Sequence, residues 1–342
     1  MPVAEKALIA RIRRLAAVRG TLKKRAREAR ENPVILAGIG DDCAVLRLPP
    51  RCDSLVTTDF SLEGIHFRRD WHPPESVGHR CLARGLSDIA AMGADPVAAF
   101  LSLALPRNLP QAWLEKFLSG LLGLAGEFGV TLAGGDTAES PNGILADIVV
   151  VGTVPKGKAI LRSGARPGDR IYVSGELGAS AAALRQLTSQ QRAKQTTKKP
   201  QRKLNPAEYT RHFFPEPRIE LGRTLREQGV ASAMIDTSDG LSTDLAHICE
   251  ESGVGAEVEA EAVPRARVGK PAYEVDLELA LHGGEDYELL FTAPQNRKIP
   301  SRIVGVPVTQ IGQITRTRKI ILRNHRGVAH ELEPRGWEHF RP

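Results

Sequence analysis

The chain has 342 residues, 42% hydrophobic and 25% charged, which is enough apolar material for a substantial core and roughly two domains at ~100–200 residues each. Fibrous, collagen-like and wholly disordered classes are excluded, and so is a membrane span, because the best apolar run, Ile144 to Val154, is short and carries Asp147, against the ~20 residues a spanning helix needs. Lys and Arg outnumber Asp and Glu by 47 to 40, but Arg192, Lys194, Lys198, Lys199, Arg202 and Lys203 sit in one acid-free stretch, 189–203, which reads as a flexible basic loop rather than a nucleic-acid arm.

The amino terminus, MPVAEKALIARIRRL, is amphipathic with charge throughout and has no export-signal layout. Cys43, Cys52, Cys81 and Cys249 form no CxxC pair, so reduced thiols and a cytoplasmic location are expected. Residues 5–30 read as a basic helix, followed by strands over 37–48 and 54–59. A helix is expected from Ser76, as N-cap after Pro73 and Pro74, to Met92, and another from Pro110 to Phe128. Strands over 130–136 and 144–154 complete this half. From Pro155 to Arg166 the texture turns to Gly, Pro and basic residues, which divides the chain into domains 1–154 and 155–342. The second half opens with a strand over 169–175, a small-residue helix from Ala179 and the basic loop. It continues with the helix PRIELGRTLREQG, a strand running into MIDTSDG, a helix over 241–253, the segment HGGEDYELLFTA and a β-rich tail. Alternating helices and strands indicate an α/β or α+β architecture.

Aspartates recur at strand ends and in Gly-rich turns: Asp41, Asp42, Asp59, Asp88, Asp136, Asp236 and Asp239. Any one of these suits an ordinary cap or Asx-turn, but together they favour a hard divalent cation such as Mg²⁺, which takes carboxylates and substrate phosphates as ligands. On a helical projection Asp88 falls between Val77 and Cys81, inside the apolar arc. A carboxylate there needs a cation or an internal partner such as Arg80 or Arg84. Glycines beside the acids, in GIGDD, GGD and GGED, allow backbone N–H groups to approach phosphate oxygens. Ser238 and Asp239 precede an apolar-periodic helix and either cap it or leave its amino terminus for an anion. GTVPKGK at 152–158 resembles half of a phosphate loop, but Ala159 replaces the metal-binding hydroxyl. No GxGxxG, GxSxG or HExxH is present, which leaves phosphate and Mg²⁺ chemistry.

Taken in order, GIGDDCAVL, TTDFSLEGIHF, LSDIAAMGADP, GGDT, LRSGARPGD, IDTSDGLSTDL, GGEDYELLF and GWEHF resemble the thiamine-monophosphate kinases from about Glu5 to Phe340, outside the basic loop. That family belongs to the aminoimidazole ribonucleotide synthetase-like superfamily. The resemblance implies an amino-terminal α/β domain whose sheet pairs in a homodimer and a larger carboxy-terminal α+β domain. It further implies direct in-line transfer of the ATP γ-phosphoryl group to thiamine monophosphate with several Mg²⁺ ions, the last step in making thiamine diphosphate. Carried over by motif, the metal ligands are Asp42, Thr57, Thr58, Asp59, Asp88, Asp136, Asp236 and Asp239, with Asp59, Asp88, Asp136 and Asp239 central to catalysis. Gly135, Asp136, Arg162 and Ser238 correspond to ATP contacts, and His66, Glu285 and Trp337 to the thiamine phosphate pocket. The indole of Trp337 offers its π-face to a cationic thiazolium, an attraction of ~0.5–2 kcal/mol. GIHF and GWEHF argue against a sibling enzyme with a different acceptor. Arg84, Gly85 and Ala138 depart from the family pattern, where a small apolar residue, Asn and Thr are common.

Overall fold

The computed structural model describes residues 5–21, 34–40, 42–196 and 204–340. Asp41 and the 197–203 part of the basic stretch lie outside the described residues, as does 22–33 at the end of the first expected helix. The chain forms two compact units, Met1–Ile89 with Ala94–Lys158, and Ala90–Gly93 with Ala159–Pro342.

In the first unit the elements are α1 (Glu5–Thr21), β1 (Ile35–Ala37), β2 (Val45–Leu46), β3 (Cys52–Leu62), α2 (Pro74–Ala91) and β4 (Asp95–Pro106). They continue with α3 (Gln111–Phe128), β5 (Thr131–Gly134), β6 (Thr137–Ser140) and β7 (Leu145–Pro155). The strand expected over 37–48 is instead a short β1–β2 hairpin. The sheet order is β3-β7-β4-β5, with β6 also on β4. β3, β7 and β4 run antiparallel, and β5 and β6 run parallel to β4. Val77, Cys81, Leu82, Leu86 and Ile89 repeat at helical spacing and bury one stripe of α2, each aliphatic side chain contributing about 1.5–3 kcal/mol. Ser76 lies buried inside the first turn rather than capping it, because Pro74, which has no N–H to leave unpaired, begins the helix. On the other face of the sheet the hairpin residues Val34, Ile35, Ala44 and Leu46 cover Val97, Ala98, Ala133 and Val151.

The second unit contains β8 (Arg170–Ser174), α4 (Ala179–Thr196), α5 (Thr210–Phe213), α6 (Ile219–Gln228), β9 (Ala233–Asp236) and α7 (Leu241–Ser252). β10 (Gly255–Glu259), β11 (Arg267–Val268), β12 (Tyr273–Glu274), α8 (Leu277–His282) and β13 (Leu289–Ala293) follow. The last strands are β14 (Arg302–Ile303), β15 (Val306–Thr315), β16 (Ile320–Arg323) and β17 (Ala329–Glu331). Its main sheet has the order β17-β16-β10-β15-β8-β13-β9, with β14 on β15. Leu245 and Ile248 of α7 join Ile171, Val173, Ile235, Leu290, Ile311 and Ile314 in its core. Tyr172 and Phe291, paired across β8 and β13, stack with centroids 5.3 Å apart.

Residues 189–196, expected as the start of a flexible loop, are instead the last turns of α4. The stretch has almost no apolar residues, but its Gln, Arg, Ala and Lys are strong helix formers, and they extend a helix already anchored by buried Ala179, Ala182, Ala183 and Leu187. Among the described residues no helix is long and apolar enough to cross a membrane.

The α2–α3 crossing depends on glycine. A Cβ on Gly78 would lie 1.9 Å from the Phe117 carbonyl oxygen, and one on Gly120 would lie 1.9 Å from that of Glu75. Gly78→Ala is therefore expected to destabilise the protein by about 1–3 kcal/mol through overpacking. Gly126→Ala, in the same helix as Gly120 but with open space at its Cβ, should stabilise by roughly 0.5–1 kcal/mol through helix propensity. Chemical denaturation of the two variants checks both signs.

Candidate active site

Strand alternation sorts the acids of the first unit. Val56 and Phe60, 66% and 54% exposed, share one face of β3 with Thr58, whose hydroxyl donates to Asp147 Oδ1 at 2.8 Å. Thr57 and Asp59 point to the opposite face, toward α2, where the Thr57 hydroxyl donates to Asp88 Oδ2. The structure thus brings Thr57, Asp59 and Asp88 to one side of the sheet and leaves the Thr58 side chain on the other. Asp88, expected to need a cation or an arginine, has Thr57 as one partner. Gly85 lies directly beneath: a Cβ there would sit 2.6 Å from Val150 Cγ2 and 3.6 Å from Thr57 Cγ2, so α2 seats closely under β3 and β7 and any side chain at this position has to displace Val150. The neighbouring Arg84 donates from Nη1 to the Phe60 carbonyl at 2.6 Å. Ala138 is exposed on β6.

His66 occupies a turn just beyond β3. Its Nδ1 accepts from the Leu62 N–H at 3.0 Å, so the neutral ring carries its proton on Nε2. Asp42, Gly135 and Asp136 line a cavity of about 550 Å³ together with Ile9, Ile12 and Phe100. Gly135 has φ 144°, and a Cβ there would lie 1.8 Å from the Leu101 carbonyl oxygen, so only glycine allows this turn to press against β4. Asp136 donates its N–H to Leu101 at 3.2 Å and accepts from the Leu103 N–H at 2.9 Å, while its Oδ1 accepts from the Thr137 N–H at 2.8 Å.

In the second unit, β9 ends at Asp236, which is buried, and residues 237–240 turn into α7. The GGED loop lies along this turn. Glu285 N–H donates to Ser238 O at 2.8 Å, Tyr287 N–H to Thr237 O at 3.0 Å, and Trp337 N–H to Asp239 O at 3.0 Å. Ser238, Asp239, Glu285 and Trp337, far apart in sequence, thereby converge through backbone hydrogen bonds. Glu285 and Tyr287 adopt φ of 65° and 53°, a left-handed conformation that costs energy for side chains of this size. Arg162 is not part of this group. Its carbonyl accepts from Ser252 Oγ at 3.3 Å, at the far end of the 12-residue α7, about 18 Å of helix from the turn. Neither Ser238 nor Asp239 is the helix cap: Gly240 holds that position with φ 114° and no side-chain cap.

Several buried acids support the loop. The Asp286 oxygens accept from the Gly178 N–H at 2.6 Å and the Ser180 N–H at 3.2 Å, at the start of α4. Burial pushes its carboxyl up to about 7 against the pull of those amides. Glu288 accepts from Arg218 Nη2 at 2.6 Å and Nε at 2.8 Å and from Ser174 Oγ at 2.5 Å, a bidentate arrangement that satisfies both charges. Asp244, 1% exposed, accepts from the Gly240 N–H at 2.9 Å. Burial raises its carboxyl well above the ordinary range, and the charges of Asp236 and Asp239 raise it further, while the amides of Gly240 and Asp239 oppose. None of Asp244, Asp286 and Glu288 stood out as a site residue in the sequence. Asp244 had the same signal as Asp88, an acid on the apolar stripe Leu241, Leu245, Ile248. Among the described residues no three His, Cys, Asp or Glu side chains close into a ready ligand set.

Comparison with known proteins reveals two matching domain families. Residues 40–154 match the N-terminal domain of AIR synthase related protein, and residues 166–324 match its C-terminal domain. The thiamine-monophosphate kinase of Salmonella typhimurium is 39% identical over 313 residues, 89% of this chain and 91% of that protein. The crystal structure of thiamine-monophosphate kinase from Stenotrophomonas maltophilia matches with a TM-score of 0.76 at 36% identity, over 94% of this chain and 97% of that one. AaThiL complexed with AMPPCP and TMP matches with a TM-score of 0.73 at 31% identity, over 94% and 95%.

The buried Asp286 carboxyl makes stability depend on pH. Its folded value of about 7 lies above the ordinary 3.8, so its contribution is full below the unfolded value and is lost as pH rises through the folded one. Asp286→Asn is expected to remove that part of the decline, so that wild type loses more melting temperature than the variant between pH 4 and pH 8. Parallel slopes would contradict the assignment.

Proposed function

This chain belongs to the thiamine-monophosphate kinase family of AIR synthase related proteins, and we propose that it transfers the γ-phosphoryl group of ATP to thiamine monophosphate, giving thiamine diphosphate and ADP. The observation that carries this reading is the match to AaThiL complexed with AMPPCP and TMP over 94% of this chain. Transfer is direct and in line: an oxygen of the thiamine phosphate attacks the γ-phosphorus as ADP leaves, with no protein nucleophile. Such a reaction asks the protein mainly for positioning and charge neutralisation.

The chain's donors fit Mg²⁺. Thr57, Asp59 and Asp88 offer only oxygen on one face of the first unit, as do Asp42 and Asp136 at the cavity and Asp236 and Asp239 in the second unit, and hard cations take oxygen ligands. Thr58 would contribute through its main chain, because its hydroxyl is committed to Asp147. Bound there, Mg²⁺ supplies neutralisation of phosphate charge. In the first unit the amide of Gly135 is offered to ATP; in the second, Ser238 and the guanidinium of Arg162, set apart along α7, are the candidate ATP contacts. The Nε2–H of His66, fixed by the Leu62 amide, donates to the acceptor phosphate, and Trp337 and Glu285 face the cationic thiazolium. The same reading includes a homodimer formed through the uncovered face of β3, where Val56 and Phe60 are exposed, because contiguous apolar surface marks interaction sites. It also includes a cytoplasmic location, in keeping with four free cysteines.

Coupled ADP release with ATP and Mg²⁺ is expected only with thiamine monophosphate, not with thiamine or without acceptor, and chromatography should identify thiamine diphosphate; release independent of acceptor would overturn the assignment. Asp59→Asn and Asp88→Asn should each lower kcat by at least about 10²-fold with little change in melting temperature. Activity near wild type in either variant would remove it from the metal site. Phe60→Asp is expected to shift the protein from dimer to monomer in sedimentation; an unchanged mass would place the dimer contact elsewhere.

A further inference from the structure

Asp244 has a buried oxygen that the fold leaves unused. Its Oδ2 accepts from the Gly240 N–H at 2.9 Å and so holds the turn that carries Ser238 and Asp239. Its Oδ1 is buried with no hydrogen-bond partner among the described residues, although the side chain is only 1% exposed. A buried carboxylate oxygen without a donor is costly. A helix cap alone does not require a second acid oxygen in this position, since serine or asparagine accepts from a turn amide equally well. A cation close to the turn supplies the positive partner that this oxygen lacks.

We propose that Asp244 is a positioning residue for a divalent cation at Asp236 and Asp239, with one oxygen fixing the Asp239–Gly240 turn and the other supplying negative charge behind the two ligands. This rests on the metal role given to Asp236 and Asp239 above. Because the Asp239 carbonyl accepts from Trp337 and the Ser238 carbonyl from Glu285, the same turn links the cation to the proposed thiamine pocket. Loss of the charge therefore weakens cation binding and, through it, raises the KM for thiamine monophosphate.

The test is Mn²⁺ binding to the full-length protein without nucleotide, read by electron paramagnetic resonance, together with the Mg²⁺-induced rise in melting temperature. Asp244→Asn retains an acceptor for Gly240, removes the charge and puts an amide NH2 in place of Oδ1. It should fold with an ion-free melting temperature at or above wild type, lose roughly 10–100-fold in Mn²⁺ affinity at one class of sites, and show a smaller Mg²⁺ response. Asp244→Ser, smaller and still an acceptor, should behave the same way and replaces the Asn variant if that one does not fold. Wild-type Mn²⁺ affinity and an unchanged Mg²⁺ response in a folded variant would reduce Asp244 to a helix cap. Asp236→Asn separates the two levels. If it weakens Mn²⁺ binding and Asp244→Asn does not, the positioning role fails alone; if neither does, the metal role of the second unit fails with it.

Discussion

A carboxylate removed from water must be given something in exchange, and that requirement organises both units of this protein. The half-buried Asp88 receives the Thr57 hydroxyl, and the buried acids are matched in turn: Asp286 by two amides at the start of α4, Glu288 by the fork of Arg218 and the hydroxyl of Ser174, and Asp244 by the amide of Gly240. Each of these pairs joins segments distant in sequence, or a loop to the helix that follows it. Neutralising the acids therefore also assembles the site. The cost of failing to do so, several kcal/mol for a broken buried ion pair, is large beside the net stability of a domain.

Glycine allows the second kind of contact, backbone against backbone. At the α2–α3 crossing Gly78 and Gly120 lie against carbonyls of the facing helix, and Gly135 lies against the Leu101 carbonyl. The first contact seats α2 so that Asp88 reaches Thr57, and the second turns Asp136 toward the cavity. Gly85 extends the same logic: a Cβ there would lie 2.6 Å from Val150 Cγ2, so α2 seats closely beneath the sheet.

In the second unit, main-chain hydrogen bonds hold the candidate site residues together. The 237–239 turn bonds to the GGED loop and to Trp337, so residues that touch a nucleotide, a cation and an organic acceptor in the proposed reaction share one rigid scaffold. The left-handed Glu285 and Tyr287 are the strained points of that scaffold, and strain of this kind persists only where the surroundings hold it. The buried Asp286 between them, bonded to α4, provides such an anchor.

The order of motifs, the alternation of helices and strands and the change of texture after residue 154 were legible from residues alone, because hydrophobic periodicity and Gly-rich acidic turns are local signals. Identity with the Salmonella kinase over 89% of the chain agrees with the family those motifs resemble. Burial and long-range pairing were not legible. Strand alternation and helix propensity were local signals for the facing of Thr58 and the extension of α4, and Asp244 shared the stripe signal of Asp88, but nothing local placed Thr58 against Asp147, set Arg162 at the opposite end of α7 from Ser238 or left one Asp244 oxygen unpaired. By itself the sequence determined the family, the chemistry of the donors and the element types outside 189–196, which depend on residue type and near neighbours. Only the tertiary structure decided which donors share a face and which carboxylates lose their water, because both depend on contacts between segments tens of residues apart.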